Sequence, residues 1–226
     1  MLLSRAILLR ERAVLVRLEY PRSTADSSLL SEILNLRDNV DPSLSMRYSC
    51  REGVCGSCAL TVSGQTTLAC TYFSRSTPAM VSYGRVQAIS VGALVRDLVW
   101  SLSMPNAEYS VAGASERGQI STAMGRQAVG PSSRALLEGH IECVLCYSCS
   151  MSCPSKWWHR SSYLGPAILL NQLKWRLSGN HQQSIESEAM LLSSTENCHT
   201  ILNCVRTCPK KLNPAAAIEV LRTIES

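Results

Sequence analysis

Eleven cysteines, gathered at positions 50–70, 143–153 and 198–208 of a 226-residue chain, carry most of the chemistry this sequence can do. An odd number cannot close entirely into intramolecular disulfides, and disulfide scaffolds spread their cysteines along short secreted chains. A metal framework is therefore the better reading. Cys50-x4-Cys55-x2-Cys58, with Cys70 following later, has the plant-type 2Fe-2S spacing, three ligands on one loop and a fourth from a later strand. Gly53 and Gly56 belong to that chemistry, because a loop that turns three thiolates inward and aims backbone N–H groups at sulfur needs residues that tolerate positive φ and close approach. Zinc is the alternative, but zinc sites usually pair two Cys-x2-Cys knuckles, and here the fourth cysteine stands alone.

The second group, Cys143-x2-Cys146-x2-Cys149-x3-Cys153-Pro154, is the bacterial two-cluster ferredoxin run, in which the fourth cysteine ligates the other cluster. The third group, Cys198-x5-Cys204-x3-Cys208-Pro209, is the same motif with Ile201 where a middle cysteine would stand. Crossing the fourth cysteines assigns Cys143, Cys146, Cys149 and Cys208 to a 4Fe-4S cluster. Cys153, Cys198 and Cys204 remain as three ligands for a 3Fe-4S cluster, since an iron facing Ile201 has no thiolate to hold it. A second four-iron cluster completed by water or another residue is the alternative. With the crossed assignment every cysteine is used.

These loops need elements to position them. Residues 13–20 (AVLVRLEY) read as a strand, and Thr24 to Asn39 places Leu29, Leu30, Ile33, Leu34 and Leu36 at helical spacing. Ala59–Val62 and Thr66–Leu68 read as two strands joined through Ser63-Gly64-Gln65. Pro166–Leu177 and Pro214–Ile224 each open with proline and continue with apolar residues at helical spacing, so the C-terminal half is expected to be helical with cysteine-bearing turns between helices. Between the halves, 101–139 is rich in Ser, Gly, Ala and Met with little periodicity and reads as a connector. The expected organisation is a 1–12 extension or targeting segment, a 2Fe-2S domain over 13–100, a linker over 101–139 and a helical two-cluster domain over 140–226.

Composition sets the limits. With 46% hydrophobic residues the chain is no disordered tail, and 4 Trp, 7 Tyr and 1 Phe leave a core that must lean on aliphatic side chains and on the metal groups. The net charge of +5 offsets negatively charged clusters better than it suits nucleic acid, since no basic stripe with interleaved aromatics is present. Arg5 and Arg10 precede the first acidic residue, Glu11, which fits a short mitochondrial targeting segment. No apolar run approaches the roughly 18 residues of a membrane span. There is no G-x-G-x-x-G, and so no sign of a nucleotide or flavin site on this chain.

SCREGVCGSCAL (49–60), VGALVRDLVW (91–100), CVLCYSCSMSCPSKWW (143–158), YLGPA (163–167) and CHTILNCVRTCPKKLNP (198–214) together resemble the iron-sulfur subunit family of succinate dehydrogenase and fumarate reductase, part of respiratory complex II. The resemblance covers roughly 49–100 and 140–222. It implies an α+β chain, with an N-terminal β-grasp plant-type 2Fe-2S ferredoxin domain and a C-terminal all-α bacterial-type ferredoxin domain. It also implies an electron-transfer subunit that takes electrons from the FAD of a flavoprotein partner and passes them through 2Fe-2S, 4Fe-4S and 3Fe-4S clusters to ubiquinone, with no dicarboxylate chemistry on this chain. Hydrophobic membrane-anchor subunits are the other expected partners. The matching positions for quinone binding are Pro154, Trp157, Trp158, His199 and Ile201. Trp158 would hydrogen-bond a quinone oxygen, and His199 would position the quinone or relay a proton. Two adjacent tryptophans on one helical turn cannot both face one core, so one is expected to meet a partner or the membrane interface.

Two departures stand out: the chain has little room for a full hairpin before its first helix, and 101–139 aligns with nothing in the family, which points to extra lineage-specific subunits. The expected location is the matrix side of the mitochondrial inner membrane, with the inner face of a bacterial cytoplasmic membrane as the alternative. Competing readings are the subunit of a quinol:fumarate reductase or of another flavoenzyme, and a soluble ferredoxin-like carrier. The Trp157-Trp158 pair and Cys-His-Thr-Ile at 198–201 favour the ubiquinone-linked dehydrogenases.

Overall fold

The computed structural model describes residues 16–17, 27–73, 85–89, 93–112, 130–178 and 185–225. The 1–12 segment, most of the expected 13–20 strand and the middle of the 101–139 stretch lie outside these residues. The chain divides into two compact units, Met1–Ser101 and Leu102–Ser226.

The first unit is a mixed α+β domain. Its sheet runs β1 (Val16–Arg17), β4 (Arg85–Ala88), β2 (Ala59–Val62), β3 (Gln65–Leu68), with every neighbouring pair antiparallel. The β2–β3 turn is tighter than the sequence suggests: Gln65 pairs with Val62, leaving Ser63 and Gly64 as a two-residue loop. Both have positive φ, 49° and 87°, which matches the right-handed twist of a hairpin. Helix α1 spans Leu29–Asn39 behind the N-cap Ser28, whose hydroxyl accepts from Ser31 N at 3.3 Å. Its apolar stripe buries Leu29, Leu30 and Ile33, and its first N–H groups reach the cysteine-bearing segment, Leu29 N to Tyr72 O at 2.8 Å and Leu30 N to Ala69 O at 3.0 Å. The helix end therefore holds the stretch that carries Cys70. A second hairpin, β5 (Leu94–Arg96) with β6 (Val99–Trp100), braces the chain leading to Cys50. Asp97 Oδ2 accepts Ser45 N at 2.9 Å, and Arg47 Nη1 donates to Trp100 O at 2.6 Å.

The second unit is helical. Its helices are α2 (Ser103–Val111), α3 (Pro131–Leu137), α4 (Ser148–Met151), α5 (Pro154–Trp158), α6 (Pro166–Leu177), α7 (Ile185–Glu196), α8 (Asn203–Thr207) and α9 (Pro214–Glu225). Helix α6 is buried continuously from Pro166 to Leu173 and packs against α9, α3 and α4, so it forms the centre of this unit. Part of the stretch read as a connector is helical: α2 and α3 fall within 101–139. Their sequences carry weak periodicity because tertiary contacts supply the order, with Trp175 Nε1 donating to Tyr109 Oη at 3.2 Å and Glu108 paired with Lys156. Among the described residues no helix is long and apolar enough to cross a membrane.

Candidate functional site

The first cysteine loop gathers backbone donors around sulfur. Glu52 N, Val54 N and Cys55 N donate to Cys50 Sγ at 3.4, 3.3 and 3.3 Å, and Gly53 N donates to Cys70 Sγ at 3.2 Å. That convergence requires left-handed backbone at Arg51, Gly53 and Gly56, with φ of 63°, 73° and 69°. At Gly53 the space is also closed, since a Cβ there would lie 2.8 Å from Thr71 Cγ2. Cys58 Sγ and Cys70 Sγ stand 3.4 Å apart, close to the ~3.8 Å of two thiolates sharing one tetrahedral metal. Burial pushes the Cys58 thiol up. Burial also opposes ionisation of Cys55, but hydrogen bonds from Ser57 and from the loop outweigh it and bring its pKa down to about 6. A loop that offers four N–H groups to two sulfurs is built for thiolates, and it fits a 2Fe-2S cluster held by Cys50, Cys55, Cys58 and Cys70.

The other seven cysteines lie in the second unit and form two sets. Cys149 is buried; its thiol is held far above its ordinary pKa, by burial first and then by Cys146, Cys143, Cys204 and Cys208. Cys146 is raised likewise by burial, with Cys143 and Cys208 as its sulfur neighbours. Asn171 Nδ2, on α6, reaches Cys143 Sγ at 3.6 Å, and Leu212 N donates to Cys208 Sγ at 3.4 Å. Cys204 is pushed up to about 11 by burial and then by Cys153 and Cys198. Thiols packed this way repel one another once ionised, a repulsion that positive iron removes.

Cys153, Cys198 and Cys204 line one small, partly open cavity of about 20 Å3, together with Pro154, Tyr163 and Ile201. His199 also lines it. Among the described residues no three His, Cys, Asp or Glu side chains close tightly enough to hold a single metal ion. The Tyr163 hydroxyl supplies an independent sign of a missing partner. The residue is 1% exposed, and the hydroxyl makes no well-formed hydrogen bond to any described residue. Burying a hydroxyl unpaired costs about 1–3 kcal/mol. Burial raises its pKa, and the sulfurs of Cys153 and Cys198 raise it further. An orphaned donor beside three thiols fits a sulfur-rich acceptor.

Two short helices present these cysteines by the same device. Leu145 and Tyr147 have φ of 51° and 60° just before α4, and Thr200 and Leu202 have 55° and 63° just before α8. No glycine occupies any of the four positions, so spacing alone did not reveal them. Overlaying the two runs, 143 on 198 and 149 on 204, sets Leu145 on Thr200 and Tyr147 on Leu202, so the repeat read from the cysteines extends to the left-handed residues.

Of the positions expected near a quinone, Pro154, His199 and Ile201 line the cavity. Trp157 and Trp158 do not appear in its lining; they lie on α5, exposed by 54% and 68%. Both tryptophans, and not just one of them, face outward. Trp157 is fixed there by its Nε1, which donates to Met151 O at 2.8 Å. The residue before them, Lys156, turns inward: it is 4% exposed, pairs with Glu108 and donates from Nζ to Tyr163 O at 2.6 Å. The sequence marks Lys156 only as one more cation, because nothing local distinguishes a buried ammonium from a solvated one.

Residues 10–105 match the family of the 2Fe-2S iron-sulfur cluster binding domain, and residues 136–209 match the 4Fe-4S dicluster domain. Among solved structures, a chain of the Mycobacterium smegmatis Sdh1 complex in the apo form shares the fold at 17% identity, with a TM-score of 0.69 over 88% of this chain and 86% of that one.

Proposed function

This chain is an iron-sulfur protein of two domains, a 2Fe-2S domain followed by a 4Fe-4S dicluster domain, and from that premise we propose that it is the electron-transfer subunit of a succinate:ubiquinone oxidoreductase. The observation that carries the reading is the repeated cysteine run with Ile201 in the place of Cys146, at a cavity that opens to solvent beside two exposed tryptophans. A diffusing carrier has no use for that much aromatic surface near one of its centres; a subunit that meets a membrane anchor and a quinone does.

In this reading Cys50, Cys55, Cys58 and Cys70 hold a 2Fe-2S cluster, Cys143, Cys146, Cys149 and Cys208 a 4Fe-4S cluster, and Cys153, Cys198 and Cys204 a 3Fe-4S cluster. When bound, these groups supply single-electron transfer between the FAD of a flavoprotein partner and ubiquinone. The chain's own residues do the rest. The N–H groups of 52–55 steady thiolate charge, and the burial of Cys149 keeps water from its set. Pro154 and Ile201 give the outer cavity apolar walls, while His199, exposed at its rim, is placed to orient a quinone oxygen or to hand it a proton. Trp157 and Trp158 offer a surface to the anchor subunits, and Trp158 offers an indole N–H to the quinone. The mitochondrial inner membrane, matrix side, is the location this role implies.

The test is low-temperature EPR of the complex, oxidised and then treated with succinate. An oxidised 3Fe-4S signal should disappear as a reduced 2Fe-2S signal grows. Centres that respond to dithionite alone would favour a fumarate reductase or another flavoenzyme, and a colourless, zinc-bearing preparation would end the iron-sulfur reading. His199→Ala should slow quinone reduction roughly 10–100-fold while dye-linked succinate oxidation stays largely intact; equal loss of both would remove His199 from the quinone site.

A further inference from the structure

Resting on the reading that Cys153, Cys198 and Cys204 hold an iron-sulfur cluster, we propose that the Tyr163 hydroxyl donates a hydrogen bond to that sulfur-bearing group and raises its reduction potential above what three thiolates alone would set. Tyr163 lines the same cavity as the three cysteines and is almost wholly buried, and its hydroxyl, which makes no well-formed hydrogen bond to any described residue, lies beside the sulfurs of Cys153 and Cys198. Its nearest electrostatic neighbours beyond the apolar packing are the sulfurs of Cys153 and Cys198. A thiolate or sulfide bound to iron has lone pairs and no proton to give, so between it and a phenol the hydroxyl is the donor.

The backbone around Tyr163 is fixed on both sides. Tyr163 N donates to His159 O at 2.9 Å, Tyr163 O accepts from Lys156 Nζ at 2.6 Å, and the next residue, Leu164, donates its N–H to Ser194 Oγ at 2.8 Å. Gly165 follows at φ 88°, and a Cβ there would come within 3.0 Å of Ser150 Oγ, so the segment cannot shift without disturbing α4. Lys156 is itself held by Glu108. The ring is thus aimed before any cluster binds, and little entropy remains to be lost when the hydroxyl finds its acceptor.

The electronic consequence follows from charge. Reduction adds one electron to the sulfur-bearing group from a reduced neighbour, no covalent bond forms or breaks, and Tyr163 retains its proton. A donor stabilises the more negative, reduced form over the oxidised one, so the potential rises. Lys156 acts at one remove, as a positioning residue for the ring.

The experiment is an EPR-monitored redox titration of the assembled complex carrying Tyr163→Phe, which keeps the ring and removes the donor. At a fixed potential near the midpoint the reduced-to-oxidised ratio of the 3Fe-4S centre should fall about tenfold, which is about 59 mV for a one-electron couple. The 2Fe-2S centre should not move. An unchanged midpoint, or an equal shift of both centres, overturns the proposal. Replacing Tyr163 by 3-fluorotyrosine, a stronger donor of the same shape, should shift the midpoint upward, and no shift there overturns the proposal even if the phenylalanine variant fails to assemble. A wild-type complex lacking any 3Fe-4S signal would bring down the cluster reading itself, an outcome distinct from a cluster that is present but indifferent to residue 163.

Discussion

Leu145 and Tyr147 in one cysteine run, and Thr200 and Leu202 in the other, stand at the same steps of the same backbone path, all left-handed and none of them glycine. Each such residue carries a cost of roughly 1–2 kcal/mol, so the chain accepts that strain twice to keep two cradles of one shape. What differs is the setting. In the first run Tyr147, Ser148 and Cys149 are buried; in the second, Ile201 and Leu202 are 40% and 47% exposed. The same backbone thus forms one closed cradle with all its cysteines and one open cradle in which Ile201 replaces one. A relay needs both kinds, a centre shielded from water to pass charge inward and one that a partner can reach. Duplication supplies the cradle, and one side chain with its exposure sets the chemistry.

The largest effect should come from exchanging the two ends of the runs. Cys208→Ser should remove the 4Fe-4S signal and spare the 3Fe-4S signal, and Cys153→Ser should do the reverse, read by EPR and iron content; the opposite pattern would mean that each run closes its own cluster. Ile201→Cys should restore the symmetry, adding one iron, abolishing the oxidised 3Fe-4S signal, lowering the potential of that centre and slowing quinone reduction. An unchanged 3Fe-4S spectrum would sink the crossed assignment.

Smaller effects separate the backbone from the side chains. Leu202→Gly removes an exposed side chain and relieves a left-handed residue, so it should be neutral to stabilising by about 1 kcal/mol. Tyr147→Gly relieves the same strain but empties a buried site, and should destabilise by about 3 kcal/mol in denaturant titrations of the complex. Similar responses at the two positions would mean that exposure is not what distinguishes them.

The smallest effect is a matter of pH. Burial raises the Glu108 pKa, and Lys156 only partly draws it back. A carboxyl raised on folding contributes stability that is fully present below its unfolded value near 4.5 and is lost as the pH rises through the higher folded value. Glu108→Gln should therefore flatten the pH profile of stability on the acid side of neutrality, and because it leaves the buried Lys156 ammonium without its counter-charge it should also lower stability at pH 7; a wild-type profile that rises with pH through this window would contradict the sign. Lys156→Met strands the other partner, a buried carboxyl, and should likewise destabilise.

Much of this was legible in one dimension because cysteine spacing is a local constraint. Three thiolates on one short loop must sit at intervals that let the chain fold back on itself, so Cys50, Cys55 and Cys58 announce their loop, and Gly53 and Gly56 the turns that make it possible. The helices at Pro166–Leu177 and Pro214–Glu225 were legible for the same reason, since proline at a helix start and apolar residues at helical spacing act within a few turns. Helices α2 and α3 were not, because their order comes from residues far along the chain.

The sequence by itself therefore determined the number and kind of metal-binding runs, the repeat that relates two of them, and the one position where the repeat loses its cysteine. Tertiary structure decided which groups surround those runs. It turned Lys156 inward beside Glu108 and Trp157 and Trp158 outward, closed one cradle and opened the other, and set the Tyr163 hydroxyl beside Cys153 and Cys198. Burial and approach across tens of residues leave no mark in local spacing; they are set when separate helices pack and each side chain finds water, a partner or neither.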